Sequence, residues 1–339
     1  MEKIKIGLIG CGKQASKHIV SLKNVPGVEL VLSDIQSKFA ENLARTNGVQ
    51  WTDHLDDILA DSSIRAVVIC TPTRSHASLI KKAINAEKDV FCEKPLCDSM
   101  EEAAELQKLE KQRQQIVMVG YIYRFVPIFE EGYRLIYEQQ INGENLVMGR
   151  LLSAFFRLGG RGGHQVWKHQ KASGGGAINE MLVHMIDLAN WYFGPLRNVE
   201  VISCGLRYPE RVIQGEKVTV DAEDCILVKF FGSNGVEIFC QADLITPAFS
   251  QYVEIQGENG TFMGSIQSDM SSYVFLKKSR GGYSSGKTEL RYGRRNVLDI
   301  QMLAFAHAVL KRQLPDRNRI EDSLKLMRIL DEIRKQVGM

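Results

Sequence analysis

A glycine-rich turn near the start of the chain limits the possible folds more than any other feature of the sequence. Residues 6 to 15 are Ile-Gly-Leu-Ile-Gly-Cys-Gly-Lys-Gln-Ala, which places Gly10, Gly12 and Ala15 in the pattern G-x-G-x-x-A. Glycine permits a tight turn at the first of these positions and a close backbone approach to a ligand at the second, and alanine permits close packing of a helix on a strand. The pattern therefore predicts a strand, a phosphate-binding turn and a helix.

Asp34 supports this interpretation, because it follows the second apolar run, Val28–Ser33, and stands 22 residues after Gly12. A carboxylate at this place accepts a hydrogen bond from a ribose 2′-hydroxyl and repels a 2′-phosphate. The sequence therefore predicts binding of a nicotinamide dinucleotide, with NAD favoured over NADP. Besides Asp34, the residues of this turn that are predicted to bind the cofactor are Gly10, Cys11, Gly12, Lys13 and Gln14.

The first 120 residues alternate between short apolar runs and helix-forming segments. The apolar runs predicted to be strands are Ile4–Ile9, Val28–Ser33, Ala66–Cys70, Asp89–Cys92 and Ile116–Gly120. Strands that are apolar almost throughout and are separated by helices are typical of a parallel sheet covered on both faces. We predict an α/β fold whose N-terminal domain, residues 1–122, is a Rossmann dinucleotide-binding domain.

The pattern changes beyond residue 122, where longer strand-like segments follow one another through turns such as Phe231–Gly235 and Gly257–Gly260. The predicted strands are Leu146–Leu158, Val199–Leu206, Asp224–Phe231, Gly235–Asp243, Tyr252–Gly257 and Ser272–Lys277. The predicted helices are Ile128–Glu138, Ala177–Phe193, Val297–Arg312 and Glu321–Gln336. We predict an α+β domain over residues 123–339, with a large open mixed or antiparallel sheet and helices on one face.

The composition excludes several classes of protein. The chain has 339 residues with 43 basic and 40 acidic side chains, and its net charge of +3 provides no broad positive surface for nucleic acid or an anionic membrane. No apolar run approaches the length of about 18 residues that a membrane span needs. We also expect no leader before the first apolar run. The seven cysteines are odd in number and mostly within apolar runs, which predicts reduced, buried thiols in a cytoplasmic protein.

Glu93-Lys94-Pro95, directly after a predicted strand, resembles a signature of the Gfo/Idh/MocA family, which includes glucose–fructose oxidoreductase and inositol dehydrogenase. Further segments resemble the same family in order along nearly the whole chain: Thr71–His76, Gly120–Pro127, Gly174–Gly176, Glu180–Asp187, and Phe305–Val309 with Glu321–Lys325. The resemblance implies a Rossmann domain, a second domain on a large open sheet, and NAD(P)-dependent hydride transfer on a sugar or polyol.

The resemblance also assigns roles to particular residues. It matches the family's lysine to Lys94 and its helix histidine to His184, while Glu180 stands where dehydrogenases of the family often have aspartate. It implies that Lys94, His184 and Glu180 are catalytic. Further residues that it implies for cofactor binding are Thr71, Pro72, His76, Glu93 and Lys94.

Oxidation of a secondary alcohol needs a base for the hydroxyl proton, and the imidazole of His184, with an ordinary pKa of about 6.5, suits that task. Glu180 and Asp187 share a helix face with His184, so either carboxylate could orient the ring. Lys94 has two possible roles: it hydrogen-bonds the substrate hydroxyl and the nicotinamide ribose as a proton relay, or its charge lowers the pKa of the base. A metal bound by Glu180 and His184 lacks further ligands, so no metal site is predicted.

The glycine-rich segment Leu158–His169 contains aromatic and cationic side chains that could hold a sugar, by stacking on its ring and by placing a cation against a phosphate or carboxylate. The alternative interpretation is a solvated mobile loop. Tyr123 and Arg124 are further candidates for a pocket. The residues predicted to bind substrate are Lys94, Tyr123, Arg124, Arg161, His164, Trp167, Glu180 and His184.

The sequence thus predicts an NAD-dependent dehydrogenase that acts on a hydroxyl group of a sugar, sugar derivative or cyclitol. The alternatives are a keto-sugar or enol/aryl reductase on the same fold, and a non-catalytic regulator that senses dinucleotides. A homodimer or homotetramer is also expected. The predicted helices are enough to cover only one face of the sheet that contains strands such as 222–231 and 236–243. The second face, if it were left uncovered, would expose a large apolar patch.

Overall fold

A computed structural model describes residues 2–138, 140–141, 144–145, 147–160, 165–233, 235–293 and 296–339. The chain forms two compact units. The first comprises Met1–Phe125 and Arg294–Met327, and the second comprises Val126–Gly293 and Arg328–Met339. The segment Arg294–Met327, which the sequence analysis assigned to the C-terminal domain, therefore packs in the first unit.

The N-terminal part of the first unit alternates strands and helices. Its elements are β1 (Ile4–Ile9), α1 (Lys13–Lys23), β2 (Val28–Ser33), α2 (Ser37–Asn47), β3 (Gln50–Thr52), α3 (Leu55–Ala60), β4 (Ile64–Ile69), α4 (His76–Asn85), β5 (Asp89–Cys92), α5 (Met100–Arg113) and β6 (Val117–Val119). The strands pair in parallel in the order β3-β2-β1-β4-β5-β6. The predicted parallel Rossmann sheet is confirmed, and strand order reverses between β1 and β4, where ligands of such sheets bind.

The core of this sheet explains why its strands are almost continuously apolar. Ile6 and Leu8 of β1, Val68 of β4 and Phe91 of β5 are fully buried, because helices cover both faces. Helix α1 packs its buried face, with Ala15 and Ile19, into the same core. The small side chain of Ala15 thus has the packing role that the glycine-rich pattern predicted.

The second unit has its own set of elements. They are α6 (Pro127–Tyr133), β7 (Gln140–Ile141), β8 (Glu144–Asn145), β9 (Leu151–Gly159), α7 (Val183–Phe193), β10 (Arg197–Gly205), β11 (Glu210–Ile213), β12 (Glu216–Thr219), β13 (Cys225–Phe231), β14 (Glu237–Asp243), β15 (Ser250–Gly257), β16 (Gly260–Ser265), β17 (Tyr273–Leu276) and β18 (Gly286–Glu289). The large sheet that the described residues form has the order β10-β13-β14-β9-β15-β16-β17-β18. The β14–β9 pair is parallel and the other pairs are antiparallel, so the predicted mixed sheet is confirmed.

Both predicted hairpins form, since β13 pairs with β14 and β15 with β16 in antiparallel register. Asn234, in the first of these turns, lies outside the described residues. The strand predicted from Leu146 begins at Leu151, and Leu146 also lies outside the described residues. The predicted helix Ile128–Glu138 is α-helical only over Pro127–Tyr133 and continues as a π-helix over Arg134–Glu138.

Several strands were missed because their sequences are short and polar. The hairpin of β11 and β12 turns at Gln214 and Gly215, whose φ angles of 55° and 88° are those that tight hairpins require. β18 is Gly-Lys-Thr-Glu and carries no apolar alternation. Each of these strands pairs with a partner of the same length, β11 with β12 and β18 with β17, and a local pattern does not reveal that partner.

The structure bears on two further predictions, which concern membrane spans and the state of the cysteines. No helix in the described part of the chain is long and apolar enough to cross a membrane. All seven cysteines are free thiols, as expected, but only Cys11, Cys92, Cys97 and Cys240 are buried. The remaining three, Cys70, Cys204 and Cys225, are partly exposed, so the expectation of buried thiols was wrong for them.

The chain ends in α8 (Val297–Lys311) and α9 (Ile320–Gln336). Asn318 lies between these two helices and is hydrogen-bonded to the edge strand β6 and to Tyr121, which follows that strand. Its backbone carbonyl accepts from Val119 N, and its side-chain amide donates to the carbonyls of Val119 at 2.8 Å and Tyr121 at 3.0 Å. The side chain is fully buried and φ is 64°, a left-handed conformation that asparagine tolerates better than most residues.

Asn318→Ala is expected to lower the free energy of unfolding by about 2–4 kcal/mol, because two buried carbonyls lose their donor and alanine is strained at this φ. Urea unfolding followed by circular dichroism measures the loss. Asn318→Gly is the matched control, since it loses the same donor without the strain and should lose less. A change of under about 0.5 kcal/mol in Asn318→Ala would contradict this account.

Candidate active site

The carboxyl ends of β1, β4 and β5 meet at one edge of the Rossmann sheet. Backbone hydrogen bonds from Gly10 to Ser33, from Cys70 to Ile9 and from Glu93 to Ile69 continue the ladder past the strand ends at 2.8–3.0 Å. The predicted glycine turn, the loop after β4 and the Glu93-Lys94-Pro95 segment are therefore neighbours within the first unit.

Gly10 is the position where only glycine fits. Its φ is +89°, and a Cβ there would lie 2.7 Å from Thr71 Cγ2 and 3.0 Å from Thr71 N. Gly12 differs, because a Cβ there would meet nothing within 4 Å. The open space at Gly12 lies where α1 begins at Lys13 with unpaired backbone N–H groups, so these residues fit the pyrophosphate of a dinucleotide.

Asp34 is partly buried at the end of β2, and it holds the glycine turn. Its carboxylate accepts hydrogen bonds from Cys11 N at 2.7 Å and from Gln36 N at 2.8 Å. Burial and the nearby Asp34 charge raise the pKa of the Cys11 thiol to about 12, so this thiol stays neutral in the turn. Asp34 therefore has a structural role in addition to the ribose contact that the sequence predicted.

The loop after β4 is tied to the segment after β5 by His76. Its ring nitrogens face the carbonyl oxygens of Pro95 at 2.8 Å and Thr71 at 2.9 Å, and the residue is 1% exposed. The Ser75 hydroxyl donates to Thr71 Oγ1 at 2.7 Å. His76 thus fixes the Thr71–Pro72 backbone, while Thr71 is partly exposed and Pro72 is exposed.

Glu93 turns its carboxylate toward α1. Its Oε1 lies 2.5 Å from Nε2 of His18 and 3.1 Å from Nε2 of Gln14, and its Oε2 accepts from the backbone N–H of Lys94 at 3.3 Å. Burial raises the pKa of Glu93, but the contacts with His18 and Gln14 outweigh it and leave the pKa below its ordinary value. His18 is fully buried against the Phe91 ring.

The sequence analysis missed His18. A usable signal was present, because His18 follows Gln14 by four residues on α1 and therefore lies on the same helix face. Lys94 itself is partly exposed at the end of β5.

The two other substrate candidates of the first unit differ from each other. Tyr123 is partly exposed as a residue, and burial raises the pKa of its hydroxyl to about 12. Arg124 is 2% exposed, and its guanidinium pairs with Asp322 at 3.1 Å. We leave Arg124 out of the proposed substrate site, because this ion pair engages its guanidinium in the packing of α9.

In the second unit, the glycine cluster Gly174–Gly176 leads into the helix that carries Glu180 and His184. The predicted helix over Ala177–Phe193 forms, but its first turn, Ile178–Leu182, is π-helical, and α7 continues from Val183. Such π segments are frequent at functional sites. His184 is partly exposed on α7, and Asp187 is buried at 1%.

Glu223 caps the start of this helix and was also missed by the sequence analysis. Its Oε1 accepts from Ile178 N at 3.0 Å and its carbonyl from Ala177 N at 2.9 Å. A Cβ at Gly176, where φ is +110°, would overlap the carboxylate. Burial raises the pKa of Glu223 although the Ile178 N–H lowers it. Nothing near Glu223 in the sequence indicates this contact, since 45 residues separate it from Ile178.

Glu180 forms an ion pair with Lys168, whose Nζ lies 2.5 Å from Glu180 Oε2. The Lys168 ammonium also lies 5.4 Å from the centre of the Trp167 ring, which is 43% exposed. Three of the predicted substrate residues, Trp167, Glu180 and His184, are therefore on neighbouring segments of one unit. The predicted candidates Arg161 and His164 lie outside the described residues.

The glycine turn, the strand-order reversal and Asp34 define the first unit as the nucleotide-binding domain of an α/β oxidoreductase. The family profile "Oxidoreductase family, NAD-binding Rossmann fold" matches residues 4–121, and the profile of the Gfo/Idh/MocA C-terminal domain matches residues 145–263. The chain belongs to the Gfo/Idh/MocA family of NAD-binding oxidoreductases. Membership of an enzyme family decides against the non-catalytic regulator.

Relatives of known sequence include a scyllo-inositol 2-dehydrogenase (NAD(+)) of Bacillus subtilis, which is 31% identical over 57% of this chain and 54% of its own length. A levoglucosan dehydrogenase of Pseudarthrobacter phenanthrenivorans is 26% identical over 78% of this chain and 74% of its own. Among solved structures, a levoglucosan dehydrogenase in complex with NADH and L-sorbose has a TM-score of 0.86 at 22% identity, and the match covers 100% of this chain and 97% of that chain.

The protein is expected to bind NADH about 10- to 100-fold more tightly than NADPH. With NADH, the Asp34 carboxylate accepts a hydrogen bond from the ribose 2′-hydroxyl, whereas with NADPH it repels the 2′-phosphate. Isothermal titration with both cofactors measures the ratio. Asp34→Ser combined with Ile35→Arg should reverse the preference, because Ile35 is fully exposed and has room for a guanidinium.

The single variant Ile35→Arg is the control, since it adds the charge and leaves the two Asp34 hydrogen bonds to the turn in place. Equal affinities of the unaltered protein for the two cofactors would contradict the role of Asp34.

Proposed function

We propose that the protein is an NAD-dependent dehydrogenase that transfers hydride between the nicotinamide and a hydroxyl carbon of a sugar, sugar derivative or cyclitol. The observation that carries the substrate class is the cluster of Trp167, the Lys168–Glu180 ion pair and the neighbouring His184 in the second unit. An exposed aromatic face next to charged hydrogen-bonding groups suits a polyhydroxylated ring. The names of the inositol and levoglucosan dehydrogenases among the relatives support the same class.

NAD supplies the hydride acceptor when it is bound. The residues that we propose to hold it are Gly10, Cys11, Gly12, Lys13, Gln14, Asp34, Thr71, Pro72 and Lys94. His76 and Glu93 support this site from beneath, since their polar atoms contact protein groups. His184 is proposed as the base that takes the hydroxyl proton, with Glu180 as the carboxylate that sets its electrostatics. Lys94 is proposed to donate a hydrogen bond to the reacting oxygen.

The same residues serve the reaction in either direction. A base that accepts the hydroxyl proton during oxidation donates it back during reduction, so a keto-sugar reductase would use the same groups in reverse. The seven free cysteines support a reducing, cytoplasmic setting, because disulfides are rare there.

Lys94→Ala is expected to lower kcat about 10²- to 10⁴-fold on the best sugar or cyclitol, which is the usual contribution of a positioned proton-transfer group. The dissociation constant of NADH, measured by fluorescence titration, should change little. Lys108→Ala, a variant of an exposed lysine on α5, is the matched control and should keep full activity. Near-normal turnover in Lys94→Ala would remove Lys94 from the mechanism.

We propose that the chain self-associates through the open face of the large sheet. On this face Phe155 of β9 stacks between Phe239 of β14 and Tyr252 of β15, with ring centres 6.4 Å and 6.2 Å apart. The rings are partly exposed, while the alternate positions of the same strands are buried. A row of partly exposed aromatic rings on one face of a sheet favours a second copy as its cover.

Light scattering at micromolar concentration should therefore give a mass of two or more chains, against 38.2 kDa for one. Phe155→Glu places a charge at the centre of the row and should shift the mass toward one chain. Trp51→Glu, on the exposed surface of β3, is the control and should leave the mass unchanged. A single-chain mass for the unaltered protein would refute self-association.

A further inference from the structure

We infer that Lys168 is a substrate-contacting residue, and that Lys168 and Glu180 together recognise a vicinal diol, that is, hydroxyl groups on two adjacent carbons. This inference rests on the proposed function and makes its substrate class narrower. From the sequence, Lys168 was predicted only as one of several cationic side chains of the segment Leu158–His169 that could hold a sugar.

The ion pair is neither a surface pair nor a buried one. The Lys168 and Glu180 side chains are 27% and 12% exposed, and their charged atoms are 2.5 Å apart. An ammonium has three N–H donors, so one bond to a carboxylate leaves donors that a ligand can use. The pair is therefore held in place by its surroundings and still accessible to a small molecule.

The backbone is shaped to bring Lys168 to this position. Gly176 N donates to Lys168 O at 2.9 Å, and a Cβ at Gly175 would lie 2.5 Å from the carbonyl carbon and oxygen of Lys168. Only glycine permits this approach. The glycine cluster thus presses the Lys168 backbone against the start of the helix that carries Glu180, which fixes the point from which the ammonium extends.

The chemistry of the pair selects a neutral diol. One hydroxyl oxygen accepts from the Lys168 ammonium while its neighbour donates to the Glu180 carboxylate, which gives two charge-assisted hydrogen bonds to adjacent oxygens. A phosphate or carboxylate on the substrate would meet the negative charge of Glu180 at the same place. The exposed Trp167 ring beside the ammonium offers an apolar surface to the C–H face of the same sugar ring.

The contact with Lys168 also accounts for the presence of glutamate at position 180, where dehydrogenases of the family often have aspartate. The Glu180 side chain is one methylene longer than the aspartate that often stands there, and its carboxylate ends at the Lys168 ammonium.

The test compares a diol with its deoxy analogue in two proteins. The probes are myo-inositol, levoglucosan and D-glucose with their monodeoxy analogues, added to the 339-residue chain saturated with NADH. Intrinsic tryptophan fluorescence gives dissociation constants for the NADH-bound protein. Initial rates, measured with NAD as the hydride acceptor in place of NADH, give kcat and KM where turnover occurs. We expect the unaltered protein to bind its best diol about 10- to 100-fold more tightly than the analogue that lacks one hydroxyl of the pair.

Lys168→Met keeps the length of the side chain and removes its charge, so it should bind the diol and the deoxy analogue within about threefold of each other. Lys168→Arg should keep part of the discrimination, and Lys171→Met, an exposed neighbour, should keep all of it. The NADH dissociation constant and the circular dichroism spectrum should be unchanged in all three, which separates a lost contact from a lost fold.

The outcomes separate this inference from the proposed function. Turnover of a sugar with the same discrimination in Lys168→Met and the unaltered protein overturns the role of Lys168 and leaves the dehydrogenase intact. Binding of diols that depends on Lys168 without any turnover supports the diol site and contradicts the dehydrogenase. Absence of both binding and turnover across the panel overturns both.

Discussion

The buried contact between His18 and Glu93 is the constraint on which the nucleotide-binding edge of the first unit depends. A carboxylate that is largely shielded from water is costly unless its oxygens are paired. His18 and Gln14 on α1 satisfy one oxygen, and the Lys94 N–H satisfies the other. The contact therefore fixes the helix behind the glycine turn and the backbone of Lys94 with the same carboxylate.

In the second unit, two glycines position the helix that carries Glu180 by letting other groups approach their backbone closely. There is no room for a side chain at Gly175 because the Lys168 carbonyl occupies that space, or at Gly176 because the Glu223 carboxylate does. Glu223 then caps the helix that begins at Ile178, and Lys168 reaches Glu180 two residues further on. A methyl group at either glycine would push a charged residue away from the helix start, so the glycine cluster is a packing requirement as well as a flexible link.

The fold was predictable from the local sequence pattern wherever a segment contained a long apolar strand or a glycine turn. Ile4–Ile9 with Gly10 predicted the first βα unit, and the turns after β13 and β15 predicted the hairpins. The strands β11, β12 and β18 were missed because they are short and polar, whereas the missed side-chain contacts share another cause, which is distance along the chain. Glu93 meets His18 across 75 residues, and Asn318 meets Val119 across 199. Composition and periodicity within a window of residues contain no information about such partners.

The carboxylates of Glu93 and Glu180 have opposite roles because their partners differ in exposure. The two carboxylates are similarly shielded, at 16% and 12% exposure, but His18 is fully buried whereas Lys168 is 27% exposed. A ligand cannot reach the His18 contact without opening the core, so that pair can only hold the protein together. It can reach the Lys168 ammonium directly and exchange one of its hydrogen bonds for another. At these two carboxylates, the exposure of the partner side chain therefore distinguishes a structural contact from a recognition pair.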